Sequence, residues 1–209
     1  MIVKVCGMRE ALNIRHVSEL DIDWMGFIFY PKSSRFVDKV PECLPIMQKR
    51  VGVFVDADKS FILKHIESFG LHLVQLHGHE TPDFCREIKE TTGKSVIKAF
   101  GIDTDTVFDN ILQYEGKADY FLFDTQCTTA GGSGRMFDHS LLQRYTGHTP
   151  FLLSGGIGPD SIGEIKDFAK YSSLHSLPFA GIDLNSRFEI SPAHKAVGTL
   201  QEFIREVRE

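Results

Sequence analysis

Short apolar runs recur along the whole chain, at residues 2–6, 24–30, 51–55, 71–76, 95–99, 120–123, 151–153 and 179–184. Their starts fall about 20 to 30 residues apart, the length of one strand-plus-helix unit. The runs are continuous, not alternating, which suits parallel strands covered on both faces. Amphipathic segments lie between them. Phe61, Ile62, His65, Ile66 and Phe69 share one helical face, and Gly70 stands at its end. Thr81, Pro82 and Asp83 start another helix, which Gly93 stops. Pro159-Asp160 opens a further one with Ile162, Ile165 and Ala169 inward, and Val197, Leu200, Ile204 and Val207 form the inner face of the last. The segment at residues 43–47 carries Pro45 in its interior and is expected to be a short or kinked helix.

Eight strands, each followed by a helix or a helix-sized segment, predict a small α/β (β/α)8 barrel, with residues 1–209 as a single domain. The competing open doubly wound sheet places a glycine fingerprint after its first strand. Here that position reads Cys6-Gly7-Met8-Arg9, and the glycine loops come late. The barrel is preferred.

Composition narrows the partners. The net charge is −5, and no Lys/Arg cluster is longer than Lys49-Arg50, which argues against nucleic acid or an anionic membrane. No apolar run approaches the ~20 residues of a membrane helix. Cys6, Cys43, Cys85 and Cys127 are scattered without a CxxC pair, and the nine histidines show no metal-ligand spacing. The expectation is a cytoplasmic protein, monomer or homodimer, without metal or cofactor, that acts on a small molecule.

In such a barrel the loops after the strands share one face, where function collects. Strand 1 delivers Cys6, either a small buried hydrophobe or a nucleophile or base. After strand 2 comes Arg35 among Ser33, Ser34 and Lys32, suited to a two-point grip on a carboxylate or phosphate. Asp56 ends strand 3 and is equally an N-cap candidate. Strand 4 gives an inward Gln75 and a rim His77, and strand 5 gives Lys98, facing either the barrel or solvent. Strand 6 ends in Asp124 and opens into Gly131-Gly132-Ser133-Gly134. Strand 7 runs through Ser154-Gly155-Gly156 to a helix start, where N–H groups and the helix dipole favour a phosphate. Strand 8 ends Asp183-Leu184-Asn185-Ser186. Glycine loops after strands 6 and 7 with a polar turn after strand 8 match the usual phosphate site of these barrels. One phosphate cradle, one Arg, one Cys and two Asp describe isomerase or lyase chemistry on a sugar phosphate.

At these positions the chain resembles the phosphoribosylanthranilate isomerases of tryptophan biosynthesis. The resemblance runs over essentially the whole length, through Lys4-Val5-Cys6-Gly7-Met8, Ser33-Ser34-Arg35, Val74-Gln75-Leu76-His77-Gly78, Phe123-Asp124, Ser154-Gly155-Gly156-Ile157 and Gly181-Ile182-Asp183. It implies an Amadori rearrangement, with Asp124 as general acid at the furanose oxygen and Cys6, as a stabilised anion, as general base at C2′. It further implies Arg35 on the anthranilate carboxylate, His77 and Asp183 beside the substrate, and Gly132, Ser133, Gly134, Gly155, Gly156, Asn185 and Ser186 on the phosphate. The last unit departs from the family pattern. Arg187 stands in a turn that commonly reads Ser-Ser-Gly-Val-Glu, Ala193 replaces a common Gly, and Ala196 follows Lys195 where an Asp is frequent. Another sugar-phosphate isomerase or epimerase, or a non-catalytic phosphate-ligand barrel, is the alternative.

Overall fold

A computed structural model describes residues 1–102, 107–124, 142 and 144–209. Eight parallel strands close into a barrel: β1 (Ile2–Val5), β2 (Trp24–Ile28), β3 (Lys49–Phe54), β4 (Leu73–Leu76), β5 (Ser95–Gly101), β6 (Tyr120–Asp124), β7 (Phe151–Ser154) and β8 (Phe179–Leu184). The closing seam sets β8 beside β1, with Lys4 level with Asp183. Around the barrel lie α1 (Ala11–Ser18), α2 (Lys59–Phe69), α3 (Pro82–Thr92), α4 (Val107–Ile111), α5 (Ile162–Leu174) and α6 (Val197–Arg208). A two-stranded hairpin, β9 (Glu189–Ser191) with β10 (His194–Lys195), precedes α6.

Alternation along each strand divides the core in two. Trp24, Val51, Leu73, Ile97, Ala99, Leu122 and Leu152 fill the barrel interior. The residues between them, such as Phe121 and Phe123 beside Leu122, pack outward under the helices. Both sets are apolar, hence the continuous runs. The same parity turns Lys4, Gln75, Asp124 and Asp183 inward above that plug.

The helix ends follow the local chemistry. Asp58 caps α2 by accepting the Phe61 N–H at 2.8 Å, and Gly70 ends it in the left-handed region. Thr81 accepts the Phe84 N–H at 3.2 Å ahead of Pro82, and Gly93 ends α3 the same way. Asp58, and not Asp56, is therefore the cap. Phe168 joins Ile165 on the buried face of α5, and Phe203 joins Leu200 on that of α6.

The helix expected near Pro45 does not form. Residues 29–48, all described, contain turns, bends and one bridge from Ile28 to Phe36, with no helix. Pro41 and Pro45 each remove a backbone donor, so a regular helix is not sustained around residues 43–47. No helix among the described residues is long and apolar enough to cross a membrane.

Candidate active site

The floor of the mouth is charged. Lys4 is fully buried, and its ammonium donates to both Asp183 oxygens, at 2.9 and 3.0 Å. Burial alone would lower that ammonium; Asp183 and Cys6 outweigh it and hold it above its ordinary value. Cys6 lies two residues on, on the same face, against Gly26, where an added Cβ would sit 2.7 Å from the sulfur. Burial pushes the Cys6 thiol up; Lys4 and Lys195 pull it down and Asp183 reinforces the rise, leaving it above its ordinary value. The resting group is the neutral thiol, contrary to the stabilised anion expected. Isolation from water outweighs the two cations, because Asp183 cancels much of the charge of Lys4.

Opposite stands Asp124, at the end of β6. Burial first, and the Asp183 charge second, raise its carboxyl to about 6. Its Oδ1 is buried and has no partner among the described residues, while Oδ2 lies 3.7 Å from His77 Nε2. Burial, with the charges of Lys4 and Lys98, lowers His77 to about 4, so its ring is neutral. The Gln75 side-chain amide pairs with His77 Nδ1 at 3.0 Å and fixes the ring so that Nε2 faces Asp124.

Lys98 faces neither the barrel interior nor solvent. It projects outward between strands and pairs with Glu80 at 3.0 Å, both buried. Glu80 also accepts the N–H groups of Asp56 and Gly78, each at 2.9 Å. This hub ties the loops after β3 and β4 together behind His77.

The loops after β7 and β8 meet around a cavity of about 100 Å³ lined by Asp124, Ser154, Gly155, Gly156, Ile157, Asp183, Asn185 and Ser186. Gly155 and Gly156 have φ of 92° and 68°, a consecutive left-handed pair that only glycine adopts without strain. Such turns aim successive N–H groups into one concavity. Arg187 reaches over Gly158 to Asp160, at 2.9 and 3.2 Å, in an exposed pair that contributes little to stability. Gly132, Ser133 and Gly134 lie outside the described residues. No group of three or more described His, Cys, Asp or Glu is placed to hold a metal ion.

Arg35 closes the β1–β2 side. Its Nε donates to both Glu189 oxygens, at 2.9 and 3.0 Å, and its Nη2 to one, at 2.6 Å. Its stem crosses Gly7, whose φ is +79° and where an added Cβ would meet Arg35 Cδ at 2.7 Å and Asn185 Oδ1 at 2.9 Å. Cys6, Asp124, Asp183, Asn185 and Arg35 thus converge on one mouth from β1, β2, β6 and β8.

The family described as N-(5′-phosphoribosyl)anthranilate isomerase matches the chain over residues 3–206. A Phocaeicola vulgatus protein of that name is 48% identical over the full 209 residues, covering 98% of the relative. The chain belongs to the N-(5′-phosphoribosyl)anthranilate isomerase family. A Thermotoga maritima phosphoribosyl anthranilate isomerase structure superposes with a TM-score of 0.80 at 31% identity, over 100% of this chain and 99% of that one. A second structure, of a phosphoribosyl anthranilate isomerase with reduced 1-(o-carboxyphenylamino)-1-deoxyribulose 5-phosphate, matches with a TM-score of 0.77 at 29% identity, over 100% and 99%. Within this isomerase family framework, the sequence picked out the strand-end residues but missed Lys4, Glu80, Glu189 and Lys195. Lys4 alone left a signal, a lysine in step with Cys6 inside an apolar strand.

Proposed function

We propose that the protein isomerises N-(5′-phosphoribosyl)anthranilate to 1-(2-carboxyphenylamino)-1-deoxyribulose 5-phosphate in tryptophan biosynthesis, by acid–base catalysis. The observation that carries this is Asp124: a carboxyl raised to about 6 shares one cavity with the glycine turn after β7 and with Asn185 and Ser186. The phosphate would sit on the N–H groups of Gly155 and Gly156 and the polar turn Asn185-Ser186. That anchor sets the ribose against Asp124. Protonated Asp124 gives its proton to the furanose oxygen, the C1′–O bond breaks, and the anthranilate nitrogen lone pair forms the C1′=N bond. His77, neutral, lies beside the carboxylate left behind, with Nε2 3.7 Å from Asp124 Oδ2.

Cys6 then acts as its thiolate and takes the C2′ proton. The C–H electrons form C1′=C2′, the C=N electrons return to nitrogen, and the enolamine tautomerises to the ketone. The thiol proton must leave beforehand, and Lys4 and Lys195 supply the positive charge for that. Asp183 keeps Lys4 in place at the substrate's edge, and Arg35 receives the anthranilate carboxylate. Cytoplasmic placement and a monomer or homodimer complete the proposal; a related Thermotoga maritima structure is described as that of monomers generated from a dimeric phosphoribosylanthranilate isomerase.

Loss of anthranilate fluorescence on conversion measures turnover directly. Cys6→Ala and Asp124→Asn are each expected to abolish turnover while the reduced product still binds. Near-normal kcat in either variant would remove that residue from the mechanism. Failure of the wild-type gene to rescue a tryptophan auxotroph lacking this step would remove the function.

A further inference from the structure

An arginine carries five N–H donors in a planar fork with two usable edges. In Arg35 one is already taken: the Nε–Nη2 side edge lies on Glu189 through three contacts of 2.6 to 3.0 Å. What remains for a ligand is the end edge, Nη1 with the outer hydrogen of Nη2. Glu189 is itself held firmly. Its side chain is 5% exposed, and its Oε1 also accepts from Lys195 Nζ at 2.7 Å and from the Ala193 N–H at 3.1 Å. Lys195 is pinned through its backbone to Asn13, at 2.8 and 3.0 Å, and its ammonium passes on to Asn185 Oδ1 at 2.7 Å. Two cations thus share one carboxylate, so the Arg35–Glu189–Lys195 cluster by itself carries one more positive than negative group. The incoming aryl carboxylate is the group that balances it.

We propose that Glu189 is a positioning residue that sets specificity for the aryl carboxylate: it occupies the side edge of Arg35 and presents the end edge to the substrate. The proposal rests on Arg35 being the carboxylate site. Glu189 touches no reacting atom; it acts on which N-aryl ligand is accepted through Arg35, and it also holds Lys195, one of the two cations beside Cys6. A ligand without the ortho-carboxylate gains nothing from the arrangement.

The test uses two ligands, the reduced product analogue and its N-phenyl counterpart lacking the carboxylate, with calorimetric affinities for each. Wild type is expected to prefer the carboxylated ligand, and Arg35→Met to lose that preference. If Arg35→Met keeps it, the carboxylate assignment of Arg35 fails, and the proposal with it. In Glu189→Gln the preference is expected to fall about tenfold or more, read as a loss of affinity for the carboxylated ligand with affinity for the N-phenyl ligand retained. Glu189→Asp, which keeps the charge, is expected to recover part of the preference. If Arg35→Met loses the preference but Glu189→Gln retains it, Arg35 stands and Glu189 is refuted. Equal loss of both ligands, or loss of inorganic phosphate binding in the Gln and Asp variants alike, would show a merely structural hub and overturn the proposal.

Discussion

Asp124→Asn should make the protein inactive and more stable at once. The Asp124 side chain is 16% exposed, so its raised pKa reflects a genuine cost of holding charge. The rise from 3.8 to about 6 corresponds to about 3 kcal/mol, at 1.36 kcal/mol for each factor of ten. The sign follows from proton binding. Between those two values the folded state holds the proton more tightly than the unfolded chain, so stability falls as pH rises. The cost is absent below 3.8 and fully present above 6. Asparagine keeps the shape and never ionises. At pH 8 the variant should therefore gain up to about 3 kcal/mol, or about 6–12 °C in Tm for a chain of this size. At pH near 3.5 its advantage should vanish. Urea denaturation and thermal melts at the two pH values check this, beside the fluorescence assay for turnover. An Asn variant no more stable than wild type at pH 8 would refute the argument that Asp124 is strained by burial.

Three further outcomes are expected. Since Asp124 lies at about 6 and Cys6 above the ordinary thiol value, the reactive combination of thiolate and protonated acid is a minor form. The rate–pH bell should rise near 6 with Asp124 and fall at alkaline pH with Cys6; iodoacetamide labelling of Cys6, followed by peptide mass spectrometry, should have its midpoint on the alkaline side, and a midpoint below 7 would contradict this. Lys98→Met leaves Glu80 buried without its cation and should cost about 3–5 kcal/mol, read as a lowered urea midpoint; an unchanged midpoint would deny the hub a structural role. Gly7→Ala puts a methyl into Arg35 and Asn185 at a φ that costs about 1–2 kcal/mol, so kcat/KM and Tm should both drop, and retention of both would mean the loop has room to shift.

The strands were legible because both of their faces are buried, and the helix ends because Thr81, Gly70 and Gly93 act through neighbours a few residues away. The strand-end residues could be read off once the barrel was recognised, since parity alone turns Asp124 and Asp183 inward. What escaped depends on distant partners. Arg35 looks like a free loop cation until Glu189, 154 positions later, is placed beside it. Lys98 has no evident direction until Glu80 folds back over it from the preceding loop. The state of Cys6 depends on Lys4 nearby and on Asp183 and Lys195 at the other end of the chain, and on burial that no local pattern records. Residues 43–47 failed for the opposite reason, a helical face without the run of backbone donors to support it.

The pairing of Lys4 with Asp183 spans 179 positions of sequence, so the first and the last strand of the barrel meet at the chemistry. As the polypeptide emerges from the ribosome, Lys4 and Cys6 arrive with the first barrel strand, and Asp183, Glu189 and Lys195 with and after the eighth. An assembly of the first seven strands would bury Lys4 with no counter-ion, a penalty that a growing chain avoids by leaving the barrel open. Closure, and with it the electrostatics of the thiol, depends on contacts of long sequence separation, which form against the largest loop entropy. Competence for catalysis and completion of the ring are one event.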